Sequence, residues 1–247
     1  MRGWPLALLS AGVLAAGSSA LLTARQHSEA KTTPPIHQVP SASPNWVGYT
    51  FSVQGVTGIR AEWSEPFAIP VQQRSAEVVW VGVGGFNSPD IMQAGTIAYF
   101  IGRYGGENAW YERFPVDKYT VPGLRVFPQD VIDCVLTRQP GSQTRWRIWI
   151  KETATGAVWT RTVHFDAGVQ LPDFIVEDPA RGRGGALETM ARWGSVTFRH
   201  MAIRIGGAWI APGRLSSIRI DMAKGGRTIA TAGGLRAGGT SFTATQR

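Results

Sequence analysis

Residues 218–222 read Ile-Arg-Ile-Asp-Met, and along this stretch apolar and charged side chains alternate. Successive side chains of a β-strand point to opposite faces, so the alternation predicts a strand with one buried and one solvated face. Residues 146–150, Trp-Arg-Ile-Trp-Ile, repeat the pattern in part. From Asn45 onward, short runs of this kind recur roughly every 8–15 residues between turn-forming residues, and helical periodicity is almost absent.

The pattern predicts an all-β domain over residues 45–247. Many strand candidates without a clear helix favour two packed antiparallel sheets, a β-sandwich of the concanavalin-like or jelly-roll kind. The chain has 247 residues, 43% of them hydrophobic, which suffices for one sizeable core. This amount of apolar surface excludes an intrinsically disordered chain.

The first 44 residues differ in composition from the rest. Arg2 precedes an apolar run over residues 4–22, and candidate small-residue cleavage sites lie at 18–20 and again at 22–24, which is typical of a secretory signal peptide. We expect a signal peptide over residues 1–24, with an uncleaved membrane anchor as the alternative. Residues 25–44 are polar and proline-rich, which predicts a linker or short propeptide without packed structure. The mature protein is therefore expected to be secreted and extracellular, with no membrane association after cleavage.

The net charge of +8 is concentrated near the C-terminus. Residues 178–247 contain 11 basic and 3 acidic side chains, and the basic ones are spaced singly rather than in runs. This spacing favours a solvated basic surface over a site for a polyanion. We therefore expect no nucleic-acid partner, and we expect a monomer.

The residue inventory excludes several familiar chemistries. The four histidines include no HExxH pair, and no GxSxG nucleophile motif occurs outside the export segment. The single cysteine, Cys134, lies in a strand pattern and is expected to be a buried, inert thiol, which excludes a disulfide framework and a cysteine-built zinc site. No metal or cofactor is expected, and carboxylates and amides remain as the candidate chemical groups.

These candidate groups lie in strand-like segments. Residues 78–83, Val-Val-Trp-Val-Gly-Val, place valines on the face expected in the core and Trp80 on the opposite face beside glycines. Gln93 shares a face with an isoleucine and a glycine, which makes it a candidate site residue. The alternative interpretation is an ordinary strand residue that faces solvent. Glu112 shares a face with two aromatic side chains, whose desolvation raises a carboxyl pKa. Glu177 lies near the end of a further strand pattern.

Six blocks, taken in this order, resemble the glutamic peptidases, also called eqolisins. The blocks are Asn45–Tyr49 (NWVGY), Trp80–Val83 (WVGV), Ile91–Gly95 (IMQAG), Trp110–Pro115 (WYERFP), Phe174–Asp178 (FIVED) and Gly239–Thr243 (GTSFT). The resemblance covers about residues 44–245, and its specificity lies in the order and spacing of the blocks.

The resemblance implies a β-sandwich whose concave face holds the site of an exported endopeptidase active at acid pH. It implies a catalytic pair of Gln93 and Glu177, with Trp80 lining the same site, and we expect Glu112 and Trp46 to contact the polypeptide substrate. In such a pair, Glu177 acts on the attacking water as general base and then on the leaving amine as general acid. Gln93 donates a hydrogen bond to the oxyanion and positions the water.

The chain departs from the family pattern at three positions. Many fungal members have an aspartate at the position of Gly84, an acidic residue at that of Ile97 and a tyrosine at that of Phe114. These losses remove hydrogen-bonding groups around the cleft and leave the Gln–Glu pair in place. The sequence leaves the substrate preference, the pH optimum and the catalytic efficiency open.

Two other functions are compatible with the residues. The first is a glycoside hydrolase that uses Glu112 and Glu177 as its two carboxylates. The second is a non-catalytic module that binds carbohydrate or peptide on a tryptophan-rich face. Turnover and its dependence on Glu177 distinguish these functions from a peptidase.

Overall fold

Strands make up nearly all of the regular structure. The structure is a computed structural model that describes residues 38–86, 88–166, 171–180 and 185–247. Within these ranges the strands are β1 (Gln38–Ser43), β2 (Trp46–Phe51), β3 (Val56–Ser64), β4 (Arg74–Gly84), β5 (Ile91–Ile101), β6 (Tyr104–Phe114), β7 (Asp117–Arg125), β8 (Val131–Arg138), β9 (Arg145–Glu152), β10 (Val158–His164), β11 (Pro172–Glu177), β12 (Thr189–Met190), β13 (Ser195–Ile205), β14 (Ala208–Ile210), β15 (Ser217–Lys224), β16 (Arg227–Ala232) and β17 (Phe242–Gln246). The helical elements in the same ranges are two 3₁₀ turns, Pro212–Arg214 and Ala237–Gly239, and none is long enough to cross a membrane. The all-β prediction is confirmed.

The predicted signal peptide and most of the predicted linker, residues 1–37, lie outside the described residues. The end of the linker differs from the expectation, because residues 38–43 form β1 and pair in parallel with β15. Among the described residues β15 is the only strand that pairs with β1, so β1 is an edge strand. Proline is tolerated in edge strands, which explains how Pro40, with no backbone N–H to donate, fits here. The described residues, which begin at Gln38, belong to one compact unit.

One antiparallel ladder joins most of the strands. The order is β7-β6-β5-β4-β11-β2-β15-β16-β17-β13-β3-β8-β9-β10. In addition, β14 forms a hairpin with β13, and β12 pairs in parallel with β4. The strands β4, β5, β6, β11 and β2, which contain the candidate site residues, are therefore consecutive or nearly consecutive neighbours in space.

The expectation of two separate sheets in a jelly-roll sandwich is not confirmed. β13 pairs with β17 through residues 195–198 and with β3 through residues 199–205, so the ladder continues from one group of strands to the other. The register shifts between Arg199 and Ala202, and His200 has φ +50° at this bulge. A β-bulge bends its strand and strengthens the local twist, which allows one strand to serve both parts of the sheet.

The two ends of the ladder approach one another and nearly close the sheet into a barrel-like shape. β7 and β10 contact each other. Trp159 on β10 stacks on Tyr111 at 5.3 Å, and Tyr111 stacks in turn on Tyr119 of β7 at 5.0 Å. The Arg161 guanidinium lies 5.2 Å from the centroid of the Tyr119 ring. The strongly bent sheet encloses the main core with one of its faces and leaves the other face available to a site.

Candidate active site

The two faces of β4 separate the core from the candidate site. Val79, Val81 and Val83 are fully buried in the main hydrophobic core. Trp80 lies on the opposite face, where it belongs to a second cluster with Trp110. The valines and Trp80 therefore lie on opposite faces, as predicted, and the Trp80 ring fills the space beside Gly82. A Cβ atom added to Gly82 would lie 2.9 Å from the Trp80 ring, so the glycine makes room for the indole.

Strand register brings the candidate polar residues onto this second face. Gln93 on β5 is paired with Gly82 on one side and with Glu112 on the other. Glu177 on β11 is paired with Trp46 of β2. Directly paired residues in neighbouring strands project to the same side of a sheet. The side chains of Gln93, Glu112, Glu177 and Trp46 therefore share one face, although their sequence positions span more than 130 residues.

A cavity of about 630 Å³ opens on this face. Gln93, Glu177, Glu112 and Trp46 all line it, whereas Trp80 is fully buried beneath it. Its volume lies within the range of ordinary ligand pockets. The structure thus brings together in one cavity four of the five residues selected from the sequence, and the fifth contacts the site from below.

Hydrogen bonds hold the Glu177 carboxylate at both oxygens. Trp80 Nε1–H donates to Glu177 Oε2 at 2.8 Å, and Asn45 Nδ2–H donates to Oε1 at 3.3 Å. Trp46 packs edge-on against Trp80, with ring centroids 5.1 Å apart. Two tryptophans and one asparagine thus fix the carboxylate in a largely apolar setting.

Burial dominates the acidity of Glu177. Desolvation raises its pKa to about 7, and the nearby charge of Glu112 acts in the same direction. Hydrogen bonds from Trp80 and Trp46 and the charge of Lys118 lower the pKa, and burial outweighs them. A carboxyl group with a pKa near neutrality can both accept and return a proton in weakly acidic solution.

The Gln93 side chain is oriented by Glu112. Gln93 Nε2–H donates to Glu112 Oε2 at 2.7 Å, and Gln93 Oε1 is buried without a hydrogen-bond partner among the described residues. A primary amide has two N–H donors, so the bond to Glu112 leaves one of them available. Gln93 therefore presents one free donor and one free acceptor.

Two residues at the site were not selected as site residues from the sequence. Asn45 belongs to a quoted block, but its bond to Glu177 depends on how β2 and β11 meet in space. Lys118 pairs with Glu112 across β6 and β7, lines the cavity and places its ammonium 5.0 Å from the centroid of the Trp110 ring. The hairpin register of β6 and β7 is the signal that would have identified Lys118.

All three departures have a structural setting. Gly84 has φ +93°, and an added Cβ atom would lie 2.3 Å from the carbonyl oxygen of Asp90, so the backbone here accepts only glycine without strain. Ile97 packs against the second hydrophobic cluster, and so does Phe114, which also lines the cavity. An acidic side chain at either of the first two positions would need a different local arrangement.

The described residues include no group of three or more histidine, cysteine, aspartate or glutamate side chains placed to hold a metal ion. Cys134 is fully buried, and burial raises the pKa of its thiol well above the usual value, in agreement with an inert thiol.

Comparison with known structures identifies similar folds. Scytalido-glutamic peptidase, solved with a transition-state analogue inhibitor, gives a TM-score of 0.71 at 19% identity, over 83% of this chain and 99% of that one. SCP-B, described as a member of the eqolisin family and solved with the tripeptide Ala-Ile-His, gives 0.67 at 18% identity over the same shares. Aspergilloglutamic peptidase from Aspergillus niger gives 0.59 at 24% identity, over 70% of this chain and 99% of that one.

Sequence comparison identifies the family. A search among curated proteins finds no significant match. The model of the Peptidase A4 family matches residues 44–243, which include every strand from β2 to β16 and all the candidate site residues. The chain therefore belongs to the Peptidase A4 family, the eqolisins, and is a hydrolase of the glutamic endopeptidase type.

Proposed function

We propose that Gln93 and Glu177 are the catalytic pair of an exported endopeptidase. The observation that supports this most directly is that the two side chains line one cavity together, although they are 84 positions apart in the sequence. Glu177 is held by indole and amide donors, and Gln93 by a neighbouring carboxylate. The pair thus combines one titratable group with one neutral donor, which can activate a water and stabilise an oxyanion.

In the proposed first step, Glu177 accepts a proton from a water molecule as that water attacks the scissile carbonyl carbon. Gln93 Oε1, which has no partner among the described residues, accepts the second hydrogen of the same water and so aims it. The carbonyl π electrons move to oxygen, and the free N–H of Gln93 Nε2 donates to the developing oxyanion. A preorganised donor of this kind stabilises the transition state without titrating itself.

In the second step the tetrahedral intermediate collapses. Glu177, now protonated, delivers its proton to the leaving amine while the C–N bond breaks and the carbonyl re-forms. Glu177 is then a carboxylate again, ready for the next water. A pKa near 7 suits this exchange, because the proton is neither too tightly held to give nor too weakly held to take.

We propose that the substrate is an extended polypeptide. Trp46 and Glu112 line the cavity beside the catalytic pair and are expected to contact it. Scytalido-glutamic peptidase is described with a peptide-based transition-state analogue and SCP-B with a tripeptide, and we extend that class of ligand to this chain. We also propose that Glu112 orients Gln93, since its carboxylate accepts the amide N–H.

The pH range follows from the same groups. The rate should increase about tenfold per pH unit below the pKa of Glu177, because the base form of the carboxylate starts the reaction. We therefore propose that the rate rises through weakly acidic solution and is half-maximal near pH 7, well above the range expected for an unperturbed carboxylate with a pKa near 4.5. Activity of the purified protein across pH 3–8 on a denatured protein substrate tests this.

Export as a soluble monomer remains part of the proposal. Cleavage near residue 24 would release a chain that starts with the predicted linker or short propeptide. Expression with the native N-terminus, followed by N-terminal sequencing and light scattering of the protein recovered from the medium, tests cleavage and oligomeric state together. Retention of residues 1–24 in a membrane fraction would instead indicate the anchor.

The decisive test compares two variants of the catalytic pair with two control variants. Glu177→Gln and Gln93→Ala should each reduce kcat on a peptide substrate by at least about a thousandfold, as expected for loss of a proton carrier or an oxyanion donor. Glu62→Gln and Gln73→Ala, which change partly or fully exposed side chains of the same types, should retain wild-type kcat. Full activity of Glu177→Gln would refute the mechanism. Polysaccharide turnover lost in Glu112→Gln would indicate a glycoside hydrolase, and ligand binding without turnover would indicate a binding module.

A further inference from the structure

A second cavity of about 900 Å³ lies away from the candidate active site. It is lined by Glu107 near the start of β6, whereas Glu112 near the end of the same strand lines the first cavity. Five residues of strand separate the two by about 17 Å. The two positions also differ by an odd number, so their side chains project to opposite faces of β6. The second cavity is therefore a separate site.

Aromatic side chains form the mouth of this cavity. Phe67, Phe100 and Phe127 line it, and Phe67 and Phe127 are 64% and 57% exposed. Exposed apolar side chains grouped around a concavity are typical of ligand-binding grooves. Three phenylalanines here offer faces and edges to an apolar ligand.

One carboxylate, that of Glu107, lines the cavity. Glu65 and Glu77, which are 1% and 0% exposed, are electrostatic neighbours of Glu107 in the protein interior. Glu77 and Glu107 both pair with Ala98, one from each side, so only a methyl group stands between them on that face. The charges of Glu65 and Glu107 both disfavour ionisation of Glu77, which shows that the three groups lie within electrostatic reach.

Four oxygens of this cluster are buried without a hydrogen-bond partner among the described residues. They are Oε1 of Glu65, both carboxyl oxygens of Glu77 and Oε2 of Glu107. No salt bridge in the described part of the chain involves these three side chains. Asp130 adds further negative charge beside Glu107, and the exposed Arg125 on β7 is the only cationic side chain among the described cavity lining. Uncompensated buried carboxylates favour either protonation or a cation brought from outside.

We propose that this second cavity binds a small organic cation with an apolar body, of the arylalkylammonium class. The ammonium group would lie against the carboxylate of Glu107, which lines the cavity. The apolar body would occupy the space between the three phenylalanines, whose ring faces also attract cations. A bare metal ion fits less well, because the described carboxylates are not arranged as a coordination group.

Proton linkage gives the proposal a distinctive signature. Burial, with a contribution from Asp130, raises the pKa of Glu107 to about 7, and burial raises that of Glu65 to about 8. At pH 5.5 the Glu107 carboxyl group in the cavity lining is therefore protonated, and a cation must displace that proton to bind. Affinity should increase with pH between 5.5 and 7.5, and binding should release protons to the buffer.

The test is isothermal titration of the purified mature protein with 2-phenylethylamine. We expect binding at pH 7.5, at least tenfold weaker binding at pH 5.5, and a heat that varies with buffer ionisation enthalpy because protons are released. The neutral isostere 2-phenylethanol and potassium chloride at equal concentration should each bind at least tenfold more weakly. Equal binding of either one would overturn the proposal.

Variants locate the binding. Glu107→Gln should weaken binding of 2-phenylethylamine at least tenfold, and Glu62→Gln should leave it unchanged. If Glu107→Gln does not fold, Phe127→Ser, an exposed rim position, should reduce affinity several-fold and serves instead. Unchanged binding in Glu107→Gln or Phe127→Ser would refute the proposal. Competitive inhibition of peptide hydrolysis that tracks the measured affinity would also refute it, because it would place the amine in the active site.

Discussion

Replacement of Glu65 by glutamine is expected to make the protein more stable at pH 8 while leaving its stability at pH 5 nearly unchanged. Glu65 is buried, and desolvation raises its pKa from 4.5 to about 8. Between these two pH values the folded protein keeps a proton that the unfolded chain releases. Because the folded state then binds more protons, the free energy of unfolding decreases as pH increases, by about 1.4 kcal/mol per pH unit for one group.

Over pH 5–8 this amounts to a loss of about 3 kcal/mol from Glu65 alone, a large part of the stability of a typical domain. Glu77 and Glu107, whose pKa values are also raised by burial, act in the same direction. Glutamine has the shape of protonated glutamate and does not titrate. The variant should therefore match the wild type within about 1 kcal/mol at pH 5 and exceed it by about 3 kcal/mol at pH 8.

Urea unfolding followed by tryptophan fluorescence at pH 5, 6, 7 and 8 measures this difference. A Glu177→Gln background prevents autolysis and removes the titration of that carboxyl from the comparison. Glu62→Gln, a partly exposed position on β3, is the matched control and should follow the wild-type curve. A wild-type free energy of unfolding that is independent of pH, or a Glu65→Gln curve that falls in parallel with the wild type, would refute the reasoning.

Three other substitutions test the candidate active site. Trp80→Phe removes the N–H that donates to Glu177, so the pKa of Glu177 should rise. The acid limb of the kcat/KM profile should then shift up by about one pH unit, and an unchanged limb would contradict this. Lys118→Met removes a charge that lowers the same pKa, so the acid limb should shift in the same direction. The shift should be smaller than for Trp80→Phe, because the ammonium group is exposed and screened by solvent. In high salt the acid limb of the wild type should approach that of the variant. Gly82→Ala places a methyl group 2.9 Å from the Trp80 ring and 3.1 Å from Gln93 Cβ. It should reduce kcat, and it should reduce the free energy of unfolding by about 1–3 kcal/mol. Wild-type values of both would show that the site accommodates the extra methyl group.

Much of the candidate site depends on hairpin register, which the sequence encodes locally. β5 and β6 are joined across Gly102 and Arg103, with Ile101 paired to Tyr104. Once that two-residue turn is fixed, antiparallel pairing places Gln93 opposite Glu112 without further information. Alternation within each strand predicts which face each residue occupies, but the direct contact between Gln93 and Glu112 follows only when the turn is included.

Other features depend on contacts that local patterns do not encode. Glu65 follows β3, and its approach to Glu77 and Glu107 is set by how distant strands pack. A glutamate in sequence is expected in water, because burial of an uncompensated carboxylate is costly. The path of the ladder through β13 is similarly nonlocal, since one strand with a bulge changes partner halfway along its length. The prediction of two separate sheets followed from counting strands, which does not determine where a strand changes partner.

The same physical effect, desolvation of carboxyl groups, limits the working range of the protein from both sides. In the proposed mechanism, lowering the pH below the pKa of Glu177, about 7, removes the base that activates water. Raising the pH toward 8 removes protons from Glu107 and Glu65 and destabilises the sheet that holds Gln93 and Glu177 in register. Activity should therefore be confined to a window between weakly acidic pH and about 8. Because the two limits arise from different residues, Glu65→Gln should extend the alkaline edge in a preincubation assay while leaving the acid limb in place, whereas Trp80→Phe should move only the acid limb.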